Sequence, residues 1–354
     1  MMMDIYWIWL SRLKHVGPVL QKQIIKHFPS PKAVFEATED DLTVVSKMTK
    51  TAMKSILINR GLKDAENILK TAEKSGVSLL PFTSEHYPKF ARESKQSPII
   101  LYYKGELQPL HTTVGVVGAR RCSPYGRKIA KQIGEELAAI NIPVISGFAK
   151  GIDSYAQIAC SRKGGYTIAF LGCGPDVCYP PEHKILYQQI LENGGAFLSQ
   201  YPPGTLPSPK YFLARNALIS AWSTELVIVE ASERSGALWT ADFAIKNNKP
   251  VYTVPNRIDS QEGIGTNRLL AHGIPPYLGI QSLQAHKEKR EHSKHHPATV
   301  IPESPILQLL SDSPATIQQL SKQINLDVTE IMDQLVELEL EKKIIVRGNV
   351  VYLV

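Results

Sequence analysis

Arg120, Lys150 and Arg234 each lie a few residues beyond an apolar run and within two residues of a glycine, the residue types and spacing that recognise phosphate. The runs are Val114–Val117, Pro143–Ile145, Thr167–Leu171 and Glu225–Val229. They open into Gly118-Ala119-Arg120-Arg121, Ser146-Gly147-Phe148-Ala149-Lys150-Gly151, Gly172-Cys173-Gly174 and Glu230-Ala231-Ser232-Glu233-Arg234-Ser235-Gly236. Glycine turns and helix N-termini present backbone N–H groups to anions, and arginine forks onto two phosphate oxygens. Of Arg120 and Arg121, the first stands nearer the strand end and is the candidate; one of the two is free to be simply solvated. No catalytic triad or metal cage is spelled here. There is also no G-x-G-x-x-G after the first strand and no Walker A sequence, so ordinary dinucleotide or nucleotide triphosphate binding is not signalled.

The segment 146–153 combines two glycines, a hydroxyl and an ammonium ahead of a helix, an anion nest with one charged arm. Ser146, Gly147, Lys150 and Gly151 are therefore candidate contacts. Phe148 is a candidate stacking face for a base, with loop core as the alternative. Asp153 reads as the cap of the following helix, since no nearby carboxylate or histidine is a convincing acid–base partner. Further on, Lys184, Lys210 and Arg215 add charge, and Asn216 is expected to pin its loop by bonding to backbone, leaving Arg215 to meet phosphate or solvent. Ser235 and Gly236 begin a helix where backbone can approach an anion. Trp239, three residues on, reads as core.

The elements that must hold these residues follow from periodicity. Residues 112–280 alternate strand and helix, which predicts a Rossmann-like, doubly wound, mostly parallel α/β sheet whose loops gather at the carboxyl edge. Helices are predicted at Gly126–Ile140, Asp153–Lys163, Pro181–Glu192, Gly236–Asn247 and Thr266–His272, with further strands at Ala196–Gln200 and Val251–Val254. Tyr201–Ser223 is proline-rich without an obvious strand, and reads as a loop wrapping the binding edge. Residues 1–111 read as a helical domain plus a connecting segment containing strands Val77–Pro81 and Ile99–Tyr103. Val16-Gly17-Pro18 hints at a helix–hairpin–helix turn, with a plain helical hairpin preferred. Residues 281–300 form a polar linker whose His292, His295 and His296 read as solvated. Residues 301–354 have the outline of a winged helix: three short helices, then strand, turn and strand.

Net charge is +7. Residues 1–111 hold 16 basic against 11 acidic residues, and 112–280 hold 16 against 12. That balance suits an anionic partner without demanding one. Residues 301–354 hold 4 basic against 8 acidic. Glu330, Asp333, Glu337, Glu339 and Glu341 fall on or just beyond the third helix there, where a DNA-reading helix is basic, so a protein-contact or autoregulatory module is expected. No apolar run approaches a membrane span, and the N-terminus lacks a signal-peptide layout, which points to the cytoplasm. Cys122, Cys160, Cys173 and Cys178 form no C-x-x-C pair, so neither zinc nor disulfide nor cofactor is implied.

The ordered set Val117-Gly118-Ala119-Arg120, Ser146–Asp153, Tyr179-Pro180, Arg215-Asn216 and Ser235–Ala241 resembles the DNA-processing protein A (DprA/Smf) family. The resemblance covers most of 112–280. It implies a non-enzymatic, dimeric, Rossmann-like binder of single-stranded DNA that protects incoming strands and helps load the RecA recombinase during natural transformation. It further implies that Arg120, the Ser146–Gly151 loop and Arg215 touch DNA. Departures from the family pattern stand at Gln157 (usually His), Gln200 (Glu), Ala217 (Arg), Asn256 (Gly) and Pro181, where a basic residue often follows Tyr-Pro. The competing expectation is a nucleotide hydrolase of the phosphoribohydrolase-like group, whose Pro-Gly-Gly-x-Gly-Thr loop is absent from Arg234–Thr240. A weaker third is a mononucleotide-sensing adaptor.

Overall fold

The protein is described by a computed structural model covering residues 4–287, 305–340 and 343–353. The linker histidines and Glu341 lie outside the described residues, as do the side chains of Asp333 and Glu337. The chain divides into two compact units, Met1–Glu288 and Lys289–Val354.

The first unit begins with six helices: α1 (Asp4–Arg12), α2 (Pro18–His27), α3 (Pro31–Glu36), α4 (Glu39–Thr43), α5 (Lys50–Ile58) and α6 (Lys63–Ser75). Their ends are written locally. Pro18 and Pro31 occupy first-turn positions, Ser30 and Thr49 accept capping bonds, and Thr38 and Asp41 make a reciprocal capping box. Between α1 and α2 the Gln21 amide donates to the carbonyls of Leu10 and Val16. That bond fixes the turn as an ordinary helical hairpin. Trp7, Ile8, Leu10, Ile24, Val34, Leu42 and Ile56 bury their side chains together with Ile99 and Ile100.

One eight-stranded sheet follows. Its strands are β1 (Ser78–Pro81), β2 (Ile100–Gly105), β3 (Val114–Val117), β4 (Val144–Ser146), β5 (Thr167–Phe170), β6 (Ala196–Ser199), β7 (Glu225–Ile228) and β8 (Val251–Thr253). The order is β1-β2-β6-β5-β4-β3-β7-β8, with β3 to β8 parallel and β1 and β2 antiparallel at one edge. The sheet is thus completed by strands from before residue 112. The expected boundary between residues 111 and 112 falls inside one compact unit, because β2 pairs directly with β6.

Helices cover both faces. They are α7 (Lys89–Glu93), α8 (Pro124–Ala139), α9 (Ile152–Arg162), α10 (Lys184–Glu192), α11 (Pro209–Trp222), α12 (Gly236–Lys246) and α13 (Ile264–Ala271). On one face, α8 and α9 pack Ile133, Leu137, Ile152 and Ala156 against Val114 and Val116. On the other, α11 and α12 pack Leu218, Ile219, Trp222 and Ala241 against Ile145, Leu226 and Ile228. Strands buried on both sides read as continuous apolar runs, which is why they were legible.

The segment expected to wrap as a loop, Tyr201–Ser223, is instead mostly helix α11. Ser208-Pro209 supplies the start, and Ala217 to Trp222 are buried all round, so no amphipathic stripe marked it.

The second unit contains α14 (Pro305–Asp312), β9 (Ala315–Thr316), α15 (Ile317–Ile324), α16 (Val328–Leu340), β10 (Ile344–Arg347) and β11 (Val350–Leu353). The strands pair antiparallel in the order β10-β11-β9, and Gly348 takes a left-handed φ of 64° in the turn. Ile306, Leu320, Ile331, Leu335, Ile344 and Val351 form its core. This is the expected winged helix. Three of its acidic residues have local work: Glu330 and Asp327 bond each other's backbone N–H groups, and Glu339 accepts from the Val346 amide.

Candidate nucleic-acid interface

Strand order reverses at β3, with β4 on one side and β7 on the other, and ligands of open α/β sheets bind in the crevice beyond such a point. A cavity of 440 Å³ opens there. Its walls come from the loop after β3 (Gly118–Arg121), Ala149 and Asp153 after β4, Ser232 and Ser235–Ala237 after β7, and Phe212, Arg215 and Asn216 of α11. Gln261 and Glu262 close one side.

Glycines bring the loops together. A Cβ on Gly118 would meet the Ile152 side chain at 2.6 Å, and one on Gly147 would meet the Arg215 guanidinium and the Asp153 carboxylate at 2.7 Å. Gly151, with φ of 83°, faces the carbonyls of Ala119 and Arg120 too closely for any side chain. Gly147 and Gly151 were expected to let an anion approach, yet both are used for loop-on-loop packing, and the Gly147 amide already donates to Asp153 at 3.1 Å. Gly236 differs: a Cβ there would meet only Asn216 Nδ2, at 3.9 Å, so its backbone stays open at the start of α12. Beside it Ser235 lines the cavity and caps α12 by accepting from the Ala237 amide.

Asp153 is not a helix cap. Gly151 holds that position without a side-chain bond, and the Asp153 carboxylate accepts from the amides of Gly118 (3.3 Å) and Gly147 (3.1 Å). Burial raises its pKa, while Arg215 and the amides of Gly118, Gly147 and Ala149 act against that rise. Arg215 is 4 % exposed rather than solvated. Its Nη1 donates to the carbonyls of Gly147 and Phe170, and its Nε donates to Asn216 Oδ1 at 3.0 Å. Burial lowers its pKa to about 10, with Asp153 opposing and Arg120 adding to the fall. Asn216 in turn donates to the Gly236 carbonyl at 3.1 Å. Arg215 therefore ties three loops together from beneath the cavity floor.

What remains for a ligand is a cation and a ring. The guanidinium carbons of Arg120 and Arg215 each lie 5.6 Å from the Phe212 ring centre. Phe212 was missed in the sequence. The signal was its spacing of three from Arg215, which puts both on one face of a helix, and it was hidden by reading that stretch as a loop.

Other candidates fare differently. Phe148 does not stack on a base: it is fully buried, edge-on to His183, Tyr187 and Phe197, at φ of 56°. Gln157 holds that conformation by accepting from the Phe148 amide at 3.1 Å and donating to Thr167. The Ser146 hydroxyl is buried and donates to the Val116 carbonyl at 2.6 Å, joining β4 to β3. Lys150 is exposed but ion-paired with Glu182 at 2.5 Å, a pairing across 32 positions that spacing does not reveal. That contact also holds the Glu182 carboxyl below its usual range. Lys184 and Lys210 are exposed at the starts of α10 and α11, outside the cavity wall. Trp239, expected in the core, is 55 % exposed.

The departures are accommodated locally. Asn256 Nδ2 donates to Val229 and Val254 carbonyls and Thr266, and Gln200 donates to the Tyr201 hydroxyl. Ala217 is buried. Among the described residues no group of three or more His, Cys, Asp or Glu could hold a metal, and no helix is long and apolar enough to cross a membrane.

Comparison with known proteins matches residues 78–286 to the family described as DNA recombination-mediator protein A, and residues 293–346 to the DprA winged helix domain. Protein Smf of Synechocystis sp. is 33% identical over 285 residues, covering 79% of this chain and 71% of that protein. Protein Smf of Escherichia coli is 31% identical, covering 78% of each. Among solved structures, DNA processing protein A of Streptococcus pneumoniae superposes with a TM-score of 0.65 at 28% identity, covering 79% of this chain and 96% of that one. DNA processing protein A of Helicobacter pylori, whose structure concerns a single-stranded DNA binding mode, gives a TM-score of 0.54 at 32% identity. That match covers 60% of this chain and 96% of that one.

Proposed function

Because the chain belongs to the family of DNA recombination-mediator protein A, we propose that it binds single-stranded DNA along the carboxyl edge of its sheet, protects it and helps load the RecA recombinase during natural transformation. The carrying observation is the Arg120 guanidinium over the ring of Phe212 on the cavity wall, with buried Arg215 against the same ring from beneath. A cation beside an aromatic face serves the two features every nucleotide of a single strand repeats, a phosphate and a base. Gly236, with its open backbone at the start of α12, and the Ser235 hydroxyl add donors for phosphate oxygens. Exposed Lys184, Lys210 and Lys150 extend the charge outward, Lys150 while still paired with Glu182.

The protein acts without catalysis in this reading. Asp153 is occupied by amides and Arg215, and the hydrolase loop is missing at Arg234–Thr240. A cytoplasmic homodimer would set two such edges on one strand and multiply affinity through effective concentration. The acidic winged helix serves a protein contact, with Glu330 and Glu339 exposed on α16.

The test is fluorescence anisotropy of the purified protein with a labelled mixed-sequence strand across a salt series. Binding that prefers strand over duplex and falls linearly in log–log with salt, by about 0.7 per neutralised phosphate, is expected. Displacement by mononucleotides alone, with no strand binding, overturns the reading.

A further inference from the structure

We infer that the strand track does not end at the sheet edge but continues into a second basic groove between α8, α9 and α10; this rests on the strand-binding reading of the edge. The groove has a volume of 590 Å³ and shares Arg120 and Arg121 with the cavity, so the two are continuous. Beyond Arg121 its wall carries Arg127, Tyr155 and, at the far end of α9, Arg162. Helix α9 has 11 residues, so the path along it is about 16 Å long, room for a few more nucleotides.

Two further observations point to an anionic strand. The first is charge without partners. Among the described residues none of Arg121, Arg127, Lys131 and Arg162 has a carboxylate in ion-pair range. The one carboxylate on the groove wall, Glu182, is held by Lys150. Arg127 and Lys131 stand four apart on α8, a like-charge pair that disfavours a helix. Both nevertheless lie over the same ring, with Arg127 Cζ 5.0 Å and Lys131 Nζ 5.6 Å from the centre of Tyr155. Tyr155 holds the two cations side by side, and a phosphate between them removes their repulsion.

The second observation is an apolar floor. Ile158 and Leu186 line the groove, and Ile185 stands 80 % exposed on its rim. A charged wall above an exposed aliphatic surface matches a phosphate backbone with its bases turned inward. Two other titratable groups stand on the wall and burial favours the neutral form of each: His183, which bonds the Phe148 carbonyl, and the Cys122 thiol.

The experiment compares full-length wild type with the Arg127→Ala, Lys131→Ala, Arg162→Ala triple variant on labelled oligothymidylates of about five and about twenty nucleotides, across a salt series. A control variant removes the same charge from α6, through Lys63→Ala, Lys70→Ala and Lys74→Ala. The expected result is a loss of at least about tenfold on the long strand at low salt. Its salt slope should be shallower by about 2, three contacts at about 0.7 each. The short strand and the control variant should behave as wild type. Unchanged long-strand affinity, equal loss on both lengths, or equal loss in the α6 control overturns the groove. Wild type that binds neither strand overturns the edge reading itself, and is distinguishable for that reason. Should the triple variant fold poorly, Arg162→Glu alone, at an exposed position, repeats the comparison.

Discussion

Replacing Asp153 by Asn tests whether this carboxylate is the bolt of the site. Asp153 and Arg215 are both buried, and Asp153 accepts amide bonds from the ends of two different strands. Asn keeps the shape and removes the charge. Its NH₂ must then face an amide N–H that has lost its acceptor, at a cost of about 1–3 kcal/mol. Arg215 is left charged in a site where burial already lowers its pKa to about 10. The two charges are coupled without a direct ion pair, so the about 3–5 kcal/mol of a buried pair broken from one side is the upper bound of the cost. At about 2 °C per kcal/mol for a unit of this size, the melting temperature should fall by more than about 2 °C and by up to about 10 °C. The double variant Asp153→Asn, Arg215→Met should lose less than the sum of the single losses, because no lone cation remains. The assay is thermal and urea unfolding of the four proteins. A melting temperature within about 2 °C of wild type for Asp153→Asn, or strict additivity in the cycle, refutes the reasoning.

Three other outcomes follow from the same contacts. Gly147→Ala should destabilise by about 1–3 kcal/mol, because its Cβ would meet Arg215 and Asp153 at 2.7 Å; unfolding curves overlapping those of wild type would contradict the loop packing. Phe212→Ala should weaken strand binding by about 1–3 kcal/mol, read by anisotropy, and unchanged affinity would remove the ring from the site. Lys249 donates to the carbonyls of Ser220, Ala221 and Ser223 at the C-terminal end of α11, and burial lowers its pKa to about 8 from 10.5. The folded state thus binds fewer protons than the unfolded one between those values, so this group's contribution to stability rises with pH across that window and is lost as pH falls through about 8. The stability difference between wild type and Lys249→Met should therefore grow by about 2–3 kcal/mol from pH 8 to 10.5, and a flat difference would contradict it.

The sheet was legible because β3 to β7 are buried on both faces and so carry uninterrupted apolar runs, each ended by small residues. The winged helix was legible from its three helical patterns and its turn. The cavity was legible in part: Arg120, Ser235 and Gly236 line it, and the loops that were expected to meet do meet. What escaped depends on contacts between distant positions. The glycines at 147 and 151 looked alike for an anion nest and for loop packing, and the approach of Arg215 and Ala119 decides for packing. Phe148 in a glycine-rich loop looked like a platform until α10 and β6 closed over it. Helix α11 hid because its second half, buried on every side, shows no stripe, and with it went the pairing of Phe212 and Arg215. Trp239 erred the other way: its neighbours Ala237 and Thr240 face the core, and it does not.

The central claim, that a single strand lies over the edge cavity against Phe212 and Arg120, is met most directly by photocrosslinking. A strand carrying 5-iodouracil is irradiated on the full-length protein and the attached peptides are sequenced by mass spectrometry. Attachment is expected at Phe212, reduced by Arg120→Glu in a protein that still folds. Attachment confined to residues 4–75 or to the winged helix, untouched by that substitution, would contradict it.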